Sequence, residues 1–299
     1  MLLTRVLSAA VLTPIVVAVI LLGEPWLSVL VGVVTFLALV EVIALLDAAG
    51  FEPPQVLVLA AGVAVTGAGL LAANAGPVVG LPADLLRVTA TPGLPTVTLA
   101  AAILLLGMAA FIRTDPRAGF LSWATSAFGV AYVGLLAPFI AVVGHLGPPS
   151  GSTAATVGEL GLRPGVAWTL LLVLVVWGYD TGAYLTGRWL GRRRLIDHIS
   201  PSKTLEGLGG GLVIGTLAAG LGAWLVGLEP WHPLLIGPLV GIGAQAGDLA
   251  ESLVKRAAGR KESGFLIPGH GGVLDRIDSF LFAAPILTIY ALLVAGAVA

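Results

Sequence analysis

Nine apolar runs divide the chain, near residues 6–23, 27–46, 55–74, 94–112, 119–146, 166–187, 207–228, 233–253 and 278–298. Each is about as long as the 20 or so residues that an α-helix needs to cross a bilayer. None shows the two-residue alternation of a half-buried strand, and most are apolar all round, as a helix set in lipid is. The pattern predicts an all-α polytopic integral membrane protein with about nine transmembrane helices. The fifth run is overlong and contains Pro138, which predicts a kink or a tilt there. The first run follows Arg5 and lacks a small-x-small cleavage site after it, so it is expected to stay as a span. Residues 75–93 and 147–165, rich in Gly, Pro, Ser and Thr, read as irregular connectors, and the RTDPR turn at 113–117 separates the fourth and fifth runs. The chain reads as a single membrane domain over 1–299, with hydrophobic helices in 1–146 and a chemistry-bearing half in 166–298.

Composition removes the alternatives. Of 299 residues, 58% are apolar and 10% charged, with a mean hydropathy of +1.03. Soluble domains carry about 25% charge, and a water-soluble globule has no means of covering so much apolar surface. Disorder fails on the same count. With no cysteine there are no disulfides, thiolate metal sites or thiol nucleophiles. The formal net charge of −1 provides no basic field for nucleic acid, and none is expected as a partner.

Placement of charge says more than its sum. With nine spans, the N-terminus and the even-numbered loops share one side. That side holds 13 of the 15 basic residues: Arg5, Arg113, Arg117, Arg188, Arg192, Arg193, Arg194, Lys203, Lys255, Arg256, Arg260, Lys261 and Arg276. The other side holds 2, Arg87 and Arg163. Basic loops stay inside, so the N-terminus and these loops are expected in the cytosol, with the protein integral to the cell (inner or plasma) membrane.

Nine of the 16 acids lie between Asp180 and Asp278, interleaved with all three lysines. Positive-inside topology explains basic charge there, but not the acids. Four constellations carry them. In WGYDTGAYLTGRWLG (177–191), Asp180 sits within or at the edge of a span, where a carboxylate costs about 2.5–3.5 kcal/mol at the centre and a function is the default reading. Interfacial capping is the alternative, and Gly178, Gly182 and Gly187 equally suit plain helix packing. In ISPSKTLEG (199–207), Ser200, Lys203 and a helix start capped by Ser202 or Thr204 suit a phosphate, as they suit a polar loop with an N-cap. In GDLAESLVKR (247–256), Asp248, Glu251, Ser252 and Lys255 recur at i, i+3, i+4 and i+7 on one helical face, with Glu251–Lys255 also readable as a local ion pair. In KESGFLIPGHGGVLDRIDSF (261–280), a glycine loop around His270, Gly271 and Gly272 precedes Asp275 and Asp278 at i, i+3.

Asp248, Asp275 and Asp278 are thus three carboxylates able to converge at one level of the membrane. Hard oxygen donors without a His or Cys set suit Mg²⁺ or Mn²⁺. His145, His198 and His232 stand isolated and are assigned structural or surface roles. Carboxylates for a divalent ion, flanking Lys and Arg, and a glycine loop describe a phosphate-handling site. Opening to the cytosol and built on spans, it reads as transfer between a soluble nucleotide and a membrane lipid.

The run Ser252, Lys255-Arg256, Lys261-Glu262, Ile267 to Gly272, Asp275-Arg276 and Asp278 resembles the C-terminal signature of phosphatidate cytidylyltransferases (CDP-diacylglycerol synthases), and the stretches at Asp180, Ser200 and Asp248 resemble the same family. Likeness is strong over roughly 175–280. Glu262 stands where the family usually has Asp, and Ser202 and Leu205 replace the usual Lys and Trp around Lys203. The resemblance implies transfer of CMP from CTP to phosphatidate, giving CDP-diacylglycerol and pyrophosphate, with Mg²⁺ and no covalent enzyme intermediate. It implies metal ligation by Asp248, Asp275 and Asp278. It implies phosphate neutralisation by Lys255, Arg256 and Arg276, assisted by Ser200, Lys203 and Lys261. His270, Gly271 and Gly272 would shape the nucleotide loop, and Asp180 would act as ligand, base or support. A CTP-dependent lipid kinase would release CDP instead, and an ion-coupled transporter would use Asp180 and Asp248 within the membrane. The polar load shows no two similar halves of the kind transporters have. The small-residue faces allow a homodimer.

Overall fold

The computed structural model describes residues 2–74, 93–150, 161–267, 269 and 271–297. Its helices are α1 (Leu2–Leu22), α2 (Trp26–Ala48), α3 (Gln55–Asn74), α4 (Leu94–Ala110), α5 (Pro116–Gly129), α6 (Phe139–Gly144), α7 (Pro164–Leu190), α8 (Leu205–Val226), α9 (Pro233–Ala257) and α10 (Leu274–Leu293). Among the described residues, seven helical stretches are long and apolar enough to cross a membrane. Two shorter apolar stretches, Ala10–Leu22 and Leu94–Ala110, complete the nine segments of the sequence pattern. The 17 residues of α4 rise about 26 Å, just under the hydrocarbon thickness of about 30 Å.

Pro138 acts as its chemistry requires. The helix begun by α5 widens into a π-helical turn at Val130–Leu135 and restarts as α6 immediately after the proline. Proline has no N–H to give, and a widened turn absorbs the mismatch. At the RTDPR turn, Asp115 caps α5 by accepting from the N–H groups of Arg117 (3.1 Å) and Ala118 (3.2 Å), with Pro116 at the first helical position.

The chain forms two compact units. The first comprises residues 1–8, 28–141 and 254–275. Its apolar centre joins Ile43 of α2, Val58, Ala61 and Val65 of α3, Ala102 and Leu106 of α4, and Val130. The second comprises residues 9–27, 142–253 and 276–299. There α7 and α8 pack through small residues: the buried face of α8 is Gly207, Gly211, Gly215, Ala219, Gly222, Ala223 and Val226. Its opposite face exposes Val213, Leu217, Leu221 and Trp224, the side that acyl chains would cover. Lipid is as apolar as these side chains, so close backbone packing, and not hydrophobic burial, joins such helices.

Between α7 and α8 lies an element the sequence pattern does not reveal. Strands β1 (Arg194–Ile196) and β2 (Ser200–Thr204) pair antiparallel, Arg194 against Thr204 and Ile196 against Ser200. Thr204 then caps α8, its Oγ1 accepting from Gly207 N–H at 3.0 Å, as expected for a residue at that position. Glu206 reaches back and accepts from the N–H groups of Arg192 (3.0 Å) and Arg193 (3.2 Å), tying the hairpin to the helix start.

Candidate active site

In the second unit, α9 and α10 bring three carboxylates together. One oxygen each of Asp248, Glu251 and Asp278 lies within 4.8 Å of the others. Asp248 and Glu251 are one turn apart on α9, and Asp278 comes from α10. Gly247 makes this possible, because a Cβ there would collide with the carbonyl oxygen of Asp278, so the two backbones touch beside the cluster. Glu251 is fully buried and Asp278 is 8% exposed. Ser252 donates to Asp248 Oδ1 at 3.4 Å, one turn further on.

Positive charge stands beside the carboxylates. Lys203, the fourth residue of β2, places Nζ 2.5 Å from Asp248 Oδ2. Asp180 on α7 is exposed and shares an electrostatic neighbourhood with Asp248, Lys203 and Arg276. Behind Asp180, Tyr179 is buried and donates through its hydroxyl to Gln245 Oε1 at 2.8 Å, which fixes α7 to α9 one turn before Asp248. Ser200 is 9% exposed, at the far end of the hairpin strand from Thr204. Arg276, in the first turns of α10, is exposed.

The donor set fits a hard divalent cation. It consists of carboxylate oxygens alone, spaced closely enough to share an ion, two of them on buried residues. The grouping departs from the sequence expectation at one position. Glu251, not Asp275, joins Asp248 and Asp278.

Asp275 is occupied otherwise, within the first unit. Its Oδ1 accepts from Lys255 Nζ at 2.6 Å. Its Oδ2 accepts from the N–H groups of Ser263 (2.9 Å) and Gly272 (2.9 Å) and from Ser263 Oγ (2.8 Å). A carboxylate so engaged is saturated by donors, the physical reason it is not part of the cluster. Lys255, expected to face phosphates, is the ammonium partner of that carboxylate, and both side chains are nearly buried, at 12% and 8% exposure. Arg256 and Lys261 are exposed, and Arg256 reaches the carbonyl of Arg260 at 3.4 Å.

The glycine loop is irregular, as its composition requires. Gly271 has φ +83°, a region that favours glycine, and its carbonyl accepts from Ile267 N–H at 3.0 Å to close the loop on itself. A Cβ at Gly272 would strike Ser263 Oγ and the carboxylate of Glu41. His270 and Pro268 lie outside the described residues.

That carboxylate is one the sequence reading missed. Glu41 belongs to α2, inside a run read only as a span, and it is 9% exposed. Its Oε1 accepts from Val273 N–H (2.9 Å), and its Oε2 accepts from Leu274 N–H (2.8 Å) and Ser263 Oγ (3.0 Å). An acid in an otherwise apolar span was the signal available for it.

The isolated histidines have structural surroundings where the structure gives them. His232 stacks on Trp231 and meets Tyr290 Oη through Nδ1 at 2.6 Å, and burial holds its imidazole below the ordinary histidine range. His145 lies 3.6 Å from Glu24.

Comparison with known proteins accords with this chemistry. A phosphatidate cytidylyltransferase of Synechocystis sp. is 48% identical over 135 residues, which cover 43% of this chain and 44% of that protein. Enzymes of the same name from Staphylococcus haemolyticus (46% over 127 residues; 42% and 49% of the two chains) and Bacillus subtilis (44% over 125 residues; 41% and 46%) are also similar. The matched segments thus span a little under half the length of each relative. The sequence profile of the cytidylyltransferase family is broader in reach and matches residues 3–294, so with a carboxylate cluster, a paired lysine and a glycine loop on membrane-spanning helices, this chain belongs to the cytidylyltransferase family.

Proposed function

We propose that the protein transfers CMP from CTP to phosphatidate, forming CDP-diacylglycerol and pyrophosphate at the cytosolic face of the membrane. The observation that carries this reading is the cluster of Asp248, Glu251 and Asp278 with Lys203 beside it, on helices that run into the bilayer. A lipid substrate requires such a setting, and a soluble one does not. Family membership and the names of the similar enzymes support the same reaction.

A phosphate oxygen of phosphatidate attacks the α-phosphorus of CTP. The bond to that oxygen forms as the bond between the α-phosphorus and the β-phosphate oxygen breaks, and pyrophosphate leaves. Asp248, Glu251 and Asp278 would hold Mg²⁺, which when bound neutralises phosphate charge and aligns in-line displacement. Lys203 and Arg276 bring positive charge to the phosphates on that side, with Ser200 as a further donor. Asp180 balances that charge when nucleotide is absent. Lys255 and Arg256, in the last turn of α9, and Lys261 beyond it lead into the loop expected to receive the nucleotide, with His270, Gly271 and Gly272. The reaction needs no covalent intermediate and no protein nucleophile. The 13-to-2 division of basic residues supports cytosolic placement of the N-terminus and of loops 188–206 and 254–277.

Labelled CTP tests the reading. Purified protein given phosphatidate and Mg²⁺ is expected to pass α-phosphate label to the lipid and to pass none from the γ-phosphate. Lipid bearing γ-label would establish a kinase instead.

A further inference from the structure

Lys255 and Asp275 form one end of a continuous chain of hydrogen bonds whose other end is a membrane helix. Asp275 Oδ2 meets Ser263 Oγ at 2.8 Å, and Ser263 Oγ meets Glu41 Oε2 at 3.0 Å. The hydroxyl has one proton, so it serves the two carboxylates in turn. Glu41 also accepts from both N–H groups, Val273 and Leu274, at the start of α10. Four N–H groups at a helix start lack partners within the helix, and a carboxylate supplying acceptors to two of them fixes that start in place. Space has been reserved for it: a Cβ at Gly264 or Gly272 would overlap the Glu41 carboxylate. All of these residues belong to the first unit.

We propose that Glu41 is a positioning residue for the transfer reaction: from within α2 it holds Ser263, Val273 and Leu274 and, through Ser263 and Asp275, the ammonium group of Lys255. The proposal rests on the transferase reading above. Glu41 does not touch substrate. Its carboxylate sets where Lys255 points, and a lysine on a flexible four-carbon stem is useful to a developing charge only when held.

The test uses the full chain with Glu41→Gln, Ser263→Ala and the double variant. Gln keeps the shape of Glu but presents one acceptor oxygen and an NH₂ group to a set of donors, so one of the three bonds is lost. Each single variant is expected to lower kcat by about tenfold or more while the KM for CTP stays within about threefold, because the interaction matters most in the transition state. The double variant is expected to lose no more than the worse single one, as members of one chain do. Amide hydrogen exchange at residues 273 and 274 reads the same anchor without turnover and is expected to quicken in Glu41→Gln. Unchanged protection there, a kcat within about twofold of wild type, or additive losses in the double variant would each overturn the proposal. A wild-type protein that passes no α-label would instead defeat the transferase reading, and the exchange measurement would still judge the anchor.

Discussion

Asp275 and Asp278 are three residues apart on α10, yet their carboxylates keep different company. Asp278 faces Asp248 and Glu251, whereas Asp275 faces an ammonium group and three other donors. Replacing a member of the acidic cluster is therefore expected to act on the metal. Glu251→Gln and Asp278→Asn should each cut turnover about a hundredfold or more, several kcal/mol of lost stabilisation, and raise the Mg²⁺ concentration for half-maximal rate. Asp275→Asn should cut turnover but leave that Mg²⁺ midpoint unchanged. A magnesium titration of α-label transfer in the three variants checks this, and a midpoint shifted by Asp275→Asn alone would return that residue to the ligand set. At this scale the sequence was half legible. Residue types and helical spacing put Asp248 and Glu251 on one face of α9 and pointed to Asp248 and Asp278 as ligands, but they named Asp275 as the third carboxylate where the structure groups Glu251. They did not show which carboxylate Lys255 takes, because Glu251 four residues before it and Asp275 twenty residues after it offer the same chemistry.

Helices were legible in outline and their ends less so. The last apolar run was bounded at 278, with Asp275 and Asp278 at i, i+3 at the start of its helix; α10 starts at Leu274, where Glu41 supplies acceptors to the N–H groups of Val273 and Leu274. Strands β1 and β2 were not foreseen: RLI and SPSKT are short and polar, and pairing between them depends on the chain reversing at residues 197–199. Pro138, in contrast, announced its own effect. Helix contact is exacting where α9 meets α10. Gly247→Ala is expected to force the backbones apart, cost about 1–3 kcal/mol as overpacking does, and lower the detergent-solubilised Tm along with activity. A thermal melt equal to wild type would show that the two helices have room to give.

Across the whole chain, the division of basic residues makes a claim about sidedness that experiment reaches readily, since no native cysteine interferes. Arg194→Cys is expected to react with a membrane-impermeant thiol reagent only after cells are opened. Reaction in intact cells would reverse the orientation and remove access to cytosolic CTP. Charge placement was readable because it is a bulk property of loops. Glu41 was not, because its partners lie 222, 232 and 233 residues further along. That distance has a consequence during synthesis. At about 5–20 residues per second, α2 leaves the ribosome some tens of seconds at most before its partners exist. The helix must therefore enter the bilayer with its acid unanswered. It has the means: its 14 Leu, Ile, Phe and Val residues, at about 0.3–0.6 kcal/mol each, outweigh a carboxylate's penalty of about 2.5–3.5 kcal/mol. Early in the life of each molecule, then, α2 waits in the membrane as a primed receptor until α10 emerges and docks its first turn there.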